Sequence, residues 1–293
     1  MKKDFLSLAD LSKEELIELL EVAATQRLRV TSQILENRHL ALYFEKPSLR
    51  TKASFETGIR ELGGSFSYFS ATDAGKMNER ESAEDLARTM SSYFAAIITR
   101  VHDHVALEKF AAASDIPVIN ALSDREHPCQ ILADLLTIRG KLGRLDNFKL
   151  AFLGDGNNVA LSLALAAEIL GFEFMLAGPA KYQLKFDQIK QSENIDEVLA
   201  NADVVYTDSW TSMGDESKAT EREAIFRPFQ LNKDVLKKAK PSAIVMHCLP
   251  AHRGEEITNE VIDGKQSVVF EQAANRLPAQ KALLIKLFSK AKV

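Results

Sequence analysis

The chain has 293 residues, 46% of them hydrophobic, enough for one or two α/β cores. A formal net charge of -4 argues against a nucleic-acid binder, which would show a basic face, and points to a small ligand held by local positive groups. Two cysteines, Cys129 and Cys248, fit a reducing compartment and not a disulfide scaffold. The opening Met1-Lys2-Lys3-Asp4-Phe5-Leu6 lacks the apolar run of a signal peptide, and no stretch approaches the roughly 18 apolar residues of a membrane span. A soluble, cytoplasmic protein is expected.

Ser12 and Glu15 form a capping box before Leu16, Leu19 and Leu20, so the chain opens with a helix. A strand is predicted over 39–44, then a helix from Ser48 with Phe55, Ile59 and Leu62 on one face. Strand 66–69, helix 82–94, strand 95–99, helix 105–113 and strand 116–119 continue the alternation. A helix over 127–138 follows, and Gly140 and Gly143 are expected to break it into a polar loop reaching 147. The second block reads as strand 148–153, helix 158–170, strands 173–177, 203–206 and 243–247, and a closing helix from about 278. This rhythm predicts an α/β protein of two parallel-sheet αβα domains, 1–135 and 136–293, with the last helix returning to the first domain.

Ligands of open α/β sheets bind beyond the carboxyl ends of the strands, and the polar clusters fall there. Strand 39–44 stops before Pro47 and restarts as a helix carrying Ser48, Arg50 and Thr51. A helix start offers unpaired N–H groups and a positive dipole end. Two hydroxyls and a guanidinium added there suit a phosphate or similar oxyanion. The plainer alternative is an N-cap serine beside a solvated arginine. Other strands lead to Arg100, to His127-Pro128-Cys129-Gln130, to Gly154-Asp155-Gly156-Asn157-Asn158, to Asp208-Ser209-Trp210-Thr211-Ser212-Met213-Gly214 and to Cys248-Leu249-Pro250-Ala251.

Three other chemistries fit less well. Gly154-x-Gly156 suggests a dinucleotide site, but Val159 occupies the third glycine position and no ribose-binding acid follows Leu176-Ala177-Gly178. Asn157 and Asn158 suit a polar ligand better, with helix capping the alternative for one of them. His127, Cys129, His247, Cys248 and His252 match no structural-zinc spacing. A Cys248 nucleophile would leave the many anion-binding groups unexplained.

Taken together and in order, these clusters resemble the aspartate/ornithine carbamoyltransferase family over nearly the whole chain. Ser48-x-Arg50-Thr51 resembles its carbamoyl-phosphate signature, and His127-Pro128-Cys129-Gln130 its second binding element. Asp208 with Ser212-Met213-Gly214, and His247-Cys248-Leu249-Pro250, are similar to the ornithine branch. The resemblance implies that Ser48, Leu49, Arg50, Thr51 and Arg100 hold carbamoyl phosphate, that His127 and Gln130 bind its carbonyl oxygen and amide, and that Arg276 also reaches it. It implies that Asn158, Asp208, Ser212 and Met213 hold ornithine, and that Cys248 and Leu249 line the reacting amine and carbonyl. Among these, Arg50, Arg100, His127, Asp208 and Cys248 would carry the catalysis.

The implied reaction transfers the carbamoyl group to the side-chain amine of ornithine, giving citrulline and phosphate, with no cofactor or metal. A homotrimer with shared sites, and no nucleic-acid or membrane partner, is implied too. Two departures stand out. Lys52 replaces the arginine common after the signature, keeping charge but losing a planar fork. The stretch 75–82, with Lys76 and Arg80, differs from the family loop that reaches a neighbouring subunit.

Overall fold

A computed structural model describes residues 4–26, 31–211 and 219–289. The chain forms two compact units: the first runs to Leu136 and resumes at Ala274, and the second is Thr137–Ala273.

In the first unit, α1 (Lys13–Gln26) follows the expected reciprocal cap, with Glu15 N–H donating to Ser12 Oγ and Ser12 N–H to Glu15 Oε2. Next come β1 (His39–Phe44), α2 (Leu49–Glu61), β2 (Ser65–Ser70), α3 (Ala71–Ala74), α4 (Ala83–Ser91), β3 (Ala96–Arg100), α5 (His104–Ala113), β4 (Val118–Leu122) and α6 (Pro128–Leu142). The four strands are parallel in the order β2-β1-β3-β4. Alternation sends Ala41, Tyr43, Ile97 and Val118 into one core with Ala87, Leu107 and Phe110 of the covering helices.

Several boundaries differ from the predicted ones, two of them for reasons visible in the chain. β4 was expected over 116–119, but Pro117 has no N–H to give a ladder, and the strand begins at Val118, two residues later. It continues through buried Asn120, whose Nδ2 donates to Leu6 O at 2.9 Å and to Ser123 Oγ at 3.3 Å. Gly140 does not break α6, which runs on to Leu142. Gly143, at φ 70°, ends it instead. A mid-helix glycine costs only about 1 kcal/mol.

The second unit holds β5 (Lys149–Leu153), α7 (Asn158–Leu170), β6 (Glu173–Ala177), β7 (Lys190–Ser192), α8 (Ile195–Leu199), β8 (Val204–Thr207), α9 (Ala219–Phe226), α10 (Lys233–Leu236), β9 (Ile244–His247), α11 (Asn259–Ile262) and α12 (Val269–Ala274). Its parallel sheet has the order β7-β6-β5-β8-β9. Leu153, Met175, Val205 and Val245 pack with Val198, Leu231, Val261 and Val269 on one face. The polar edge strand β7 was not predicted, nor was α8, whose Ile195, Val198 and Leu199 share a helix face over little more than one turn.

The closing helix α13 (Arg276–Ser289) packs against α1 and α2, the return expected of it. It starts two residues before the predicted position, because a proline within the first turn removes no hydrogen bond the helix needs. Fully buried Lys281 of α13 donates to Glu61 Oε2 of α2 at 2.8 Å. No helix among the described residues is long and apolar enough to cross a membrane.

Each sheet reverses its strand order once, between β1 and β3 and between β5 and β8. Such switch points leave a crevice at the carboxyl ends of the strands, and both sets of polar motifs follow these ends.

Candidate active site

In the first unit, Ser48 is the N-cap of α2, its Oγ accepting from Thr51 N–H at 3.3 Å. His127 precedes Pro128 at the first position of α6, and its carbonyl accepts from Gln130 N–H at 2.9 Å. Arg276 opens α13 and joins the two motifs. Its Nη2 donates to Thr51 Oγ1 at 3.0 Å and its Nη1 to Gln130 Oε1 at 2.5 Å. Gln130 Nε2 in turn donates to Asp134 Oδ1 at 2.8 Å, which fixes which end of the amide faces the arginine. Leu49, by contrast, is 78% exposed.

Arg100, His127 and Arg276 are all buried. Burial first, and then the guanidinium charges of Arg276, Arg100 and Arg50, hold the His127 pKa well below its usual value. The ring is therefore neutral at physiological pH, a hydrogen-bond donor rather than an acid. Three guanidinium charges felt by one imidazole make an environment that suits a dianion. Cys129 is excluded from this chemistry: burial pushes its thiol up to about 12, and Sγ donates to Asn120 O at 3.3 Å.

Glu45 was missed by the sequence reading. Its Oε1 accepts from Met77 N–H at 2.8 Å, its Oε2 from His102 N–H at 2.9 Å, and its own N–H donates to Arg100 O at 2.8 Å. One carboxylate thus ties the end of β1 to the end of β3 and to the 75–82 loop. On that loop Lys76 and Arg80 are exposed, and Arg80 Nη1 donates to Asp73 O at 3.2 Å. Lys52 is engaged locally, 3.4 Å from Glu56 and 4.5 Å above the Tyr68 ring.

In the second unit, Asn157 takes the capping role: its Oδ1 accepts from Val159 and Ala160 N–H, at 3.0 and 3.1 Å. Its Nδ2 donates to Asp208 Oδ2 at 2.8 Å. Asp208 Oδ1 accepts from Cys248 Sγ and from Ser209 N–H, each at 2.8 Å. Asn158 is the first residue of α7 and half-buried. Gly156 has a structural reason: a Cβ there would meet Tyr182 O at 2.7 Å and Leu184 N at 2.6 Å. Ser212 and Met213 lie outside the described residues.

Buried His247 supports the turn that presents Cys248 and Leu249. Leu249 N–H donates to His247 Nδ1 at 2.8 Å, so the ring proton is on Nε2, facing Glu256 Oε1 at 3.1 Å. Leu249 has φ 56°, and the Leu249–Pro250 bond is cis. Arg222, also missed, donates from Nη2 to Asp155 Oδ2 at 2.5 Å and from Nε to Trp210 O. Its guanidinium carbon lies 4.7 Å from the Tyr182 ring centroid and 4.9 Å from that of Phe226. Neither Glu45 nor Arg222 belongs to a motif, and only the fold reveals their partners.

Residues 3–140 match the carbamoyl-phosphate-binding domain model of the aspartate/ornithine carbamoyltransferases, and residues 146–287 match their aspartate/ornithine-binding domain model. An ornithine carbamoyltransferase of Methanosarcina acetivorans is 46% identical, over 98% of this chain and 99% of its own. One from Pyrococcus furiosus described as anabolic is also 46% identical, over 96% and 95%. The solved structure of ornithine carbamoyltransferase from Pyrococcus furiosus superposes with a TM-score of 0.94 at 43% identity, covering 99% of this chain and 98% of that one. Both halves of the chain match, in order and nearly end to end: it belongs to the aspartate/ornithine carbamoyltransferase family.

Proposed function

We propose that the chain transfers the carbamoyl group of carbamoyl phosphate to the side-chain amine of L-ornithine, forming L-citrulline and phosphate in arginine metabolism. The observation that carries this reading is buried Arg276, which donates to Thr51 Oγ1 and to Gln130 Oε1 and so joins the Ser48 and His127 helix starts in one positively charged site. Such a setting matches a dianionic substrate whose carbonyl oxygen gains charge during attack.

In the reaction the amine nitrogen bonds to the carbonyl carbon, the carbon–oxygen bond to phosphate breaks, and the amine proton leaves to base. Ser48, Leu49 through its backbone, Arg50, Thr51 and Arg100 hold the phosphate. His127 and Arg276 donate to the carbonyl oxygen, and Gln130 orients the amide. Because His127 is neutral, it stabilises the oxyanion by hydrogen bonding without protonating it, and the ring needs no recharging between turnovers. Removing one such donor costs about 3–4 kcal/mol of transition-state stabilisation.

On the ornithine side, Asn158, Asp208, Ser212 and Met213 hold the α-amino and α-carboxylate groups, with Cys248 and Leu249 at the reacting amine. The Asp208 carboxylate, already oriented by Asn157, supplies the negative charge an ammonium group requires. The protein works in the cytoplasm as a homotrimer whose 75–82 loop, with Lys76 and Arg80, completes a neighbouring subunit's site.

Citrulline formation by purified protein, followed against a panel of amines including putrescine and N-acetylornithine, tests the assignment. Activity confined to ornithine is expected. Preference for another amine, or no transfer at all, refutes it.

A further inference from the structure

The turn after β9 gathers donors that the carbamoyl-transfer chemistry leaves unused. His252 Nδ1 is 4.0 Å from Glu255 Oε2 and 3.7 Å from Glu256 Oε2. One ligand atom from each of these three residues lies within 4.8 Å of the other two. Glu256 is fully buried, and its Oε1 already accepts from the His252 N–H and faces His247 Nε2. Its Oε2 is buried as well and has no hydrogen-bond partner. A buried carboxylate oxygen left without a donor is costly, and this one faces an imidazole nitrogen and a second carboxylate.

We propose that His252, Glu255 and Glu256 bind a first-row divalent cation of the Zn2+ or Co2+ type. One imidazole nitrogen and two carboxylate oxygens are the mixed donor set such ions take, with water completing the shell. Ligand atoms about 2.1 Å from a tetrahedral ion are about 3.4 Å apart, so His252 Nδ1 at 3.7 Å from Glu256 Oε2 and 4.0 Å from Glu255 Oε2 reaches that spacing by side-chain adjustments of about half an ångström.

The backbone beneath the donors is already fixed. Glu255 N–H donates to His252 O at 2.9 Å, Gly254 N–H to Ile257 O at 2.9 Å, and Leu231 N–H to Glu256 O at 2.8 Å. Gln230 Nε2 donates to both Gly254 O and Glu255 O. The neighbouring cation Arg253 is occupied with Asp263, at 2.6 and 2.9 Å. His252 and Glu255 side chains are 47% and 46% exposed, which opens the site to ions from solvent. The other clustered group, Asp208, His247 and Cys248, belongs to the ornithine side, and its thiol and carboxylate already bond one another.

Full-length protein carrying Cys248→Ser, which removes the thiolate, is stripped with chelator and titrated with Zn2+ by calorimetry and with Co2+ by absorption. One ion per chain is expected, with a Co2+ spectrum free of sulfur charge transfer. His252→Ala should weaken binding at least about tenfold, and adding Glu255→Gln should abolish it. Both side chains are half-exposed, so an unchanged metal-free melting temperature certifies the fold. Binding untouched by the double substitution, or none below about 1 mM Zn2+, overturns the proposal.

Discussion

The Cys248 thiol donates to Asp208 Oδ1 across 2.8 Å, while Asn157 donates to the other oxygen of the same carboxylate at the same distance. Two strand ends and a helix cap thus converge on one acidic group, whose orientation is set before any ligand arrives.

Asp208→Asn should therefore harm ornithine use far more than carbamoyl-phosphate binding. The amide loses the charge, and it offers one acceptor where Asn157, Ser209 and Cys248 present three donors. A hydrogen bond to a charged group contributes about 1.5–3 kcal/mol, so the ornithine KM should rise roughly 10- to 100-fold. Calorimetry with carbamoyl phosphate alone should give near-normal affinity. Loss of that affinity would show the half-sites to be reversed.

Arg50→Ala should weaken carbamoyl-phosphate binding and lower kcat together, because one guanidinium meets both the bound and the departing phosphate. A rate loss of about 10²–10³ is expected. A folded variant with unchanged kinetics removes Arg50 from the site.

His127 also sets a pH dependence of stability. Its folded pKa lies well below the unfolded value of 6.5, so below that pH the unfolded chain binds more protons than the native one. Stability present above pH 6.5 should decline as the medium is acidified through and below it. His102 and His104 are shifted in the same direction, chiefly by burial, and add to the slope. His127→Gln should flatten melting temperature against pH between about 6.5 and 5. An unaltered slope contradicts a neutral buried ring.

Lys281→Ala should destabilise the first unit by about 2–3 kcal/mol, since it removes a buried stem and its contact with Glu61 from the junction of α13 with α2. Lys281→Met, which keeps the stem, should cost less. Chemical denaturation at constant m-value separates the two.

Mixing two inactive variants, Arg50→Ala and the pair Lys76→Ala with Arg80→Ala, tests the proposed shared site. After dissociation and reassembly, some sites of a trimer draw both intact halves, and part of the activity returns. Trimers by light scattering with no recovered activity would sink the assigned role of the loop.

Most of the strand layout was legible because parallel strands buried on both faces read as apolar runs: Leu40 to Phe44 and Leu150 to Leu153 permit no other placement. The edge strand Lys190–Ser192 was invisible for the opposite reason, being short, polar and solvent-facing. In the candidate site, the motif residues stood out by their types and spacing, and the substitutions above test their roles. Glu45, Arg222 and Glu256 did not stand out. Each acts on groups brought near only by folding, and a carboxylate accepting backbone N–H bonds leaves no pattern in its neighbours. Asn157 and Asn158 show a finer limit: both suit a ligand or a cap, and only the helix register shows that Asn157 is the cap.

Arg276 donates to Gln130 and to Thr51, partners that precede it by 146 and 225 positions. During synthesis on the ribosome, the first unit's strands are all available long before this guanidinium emerges. The proposed anion site stays unfinished until position 276 has been made, so a chain truncated before it lacks the guanidinium that joins the two helix starts. An isolated first unit would have to be built with residues from 274 onward grafted to its own end before it could serve as a binding module.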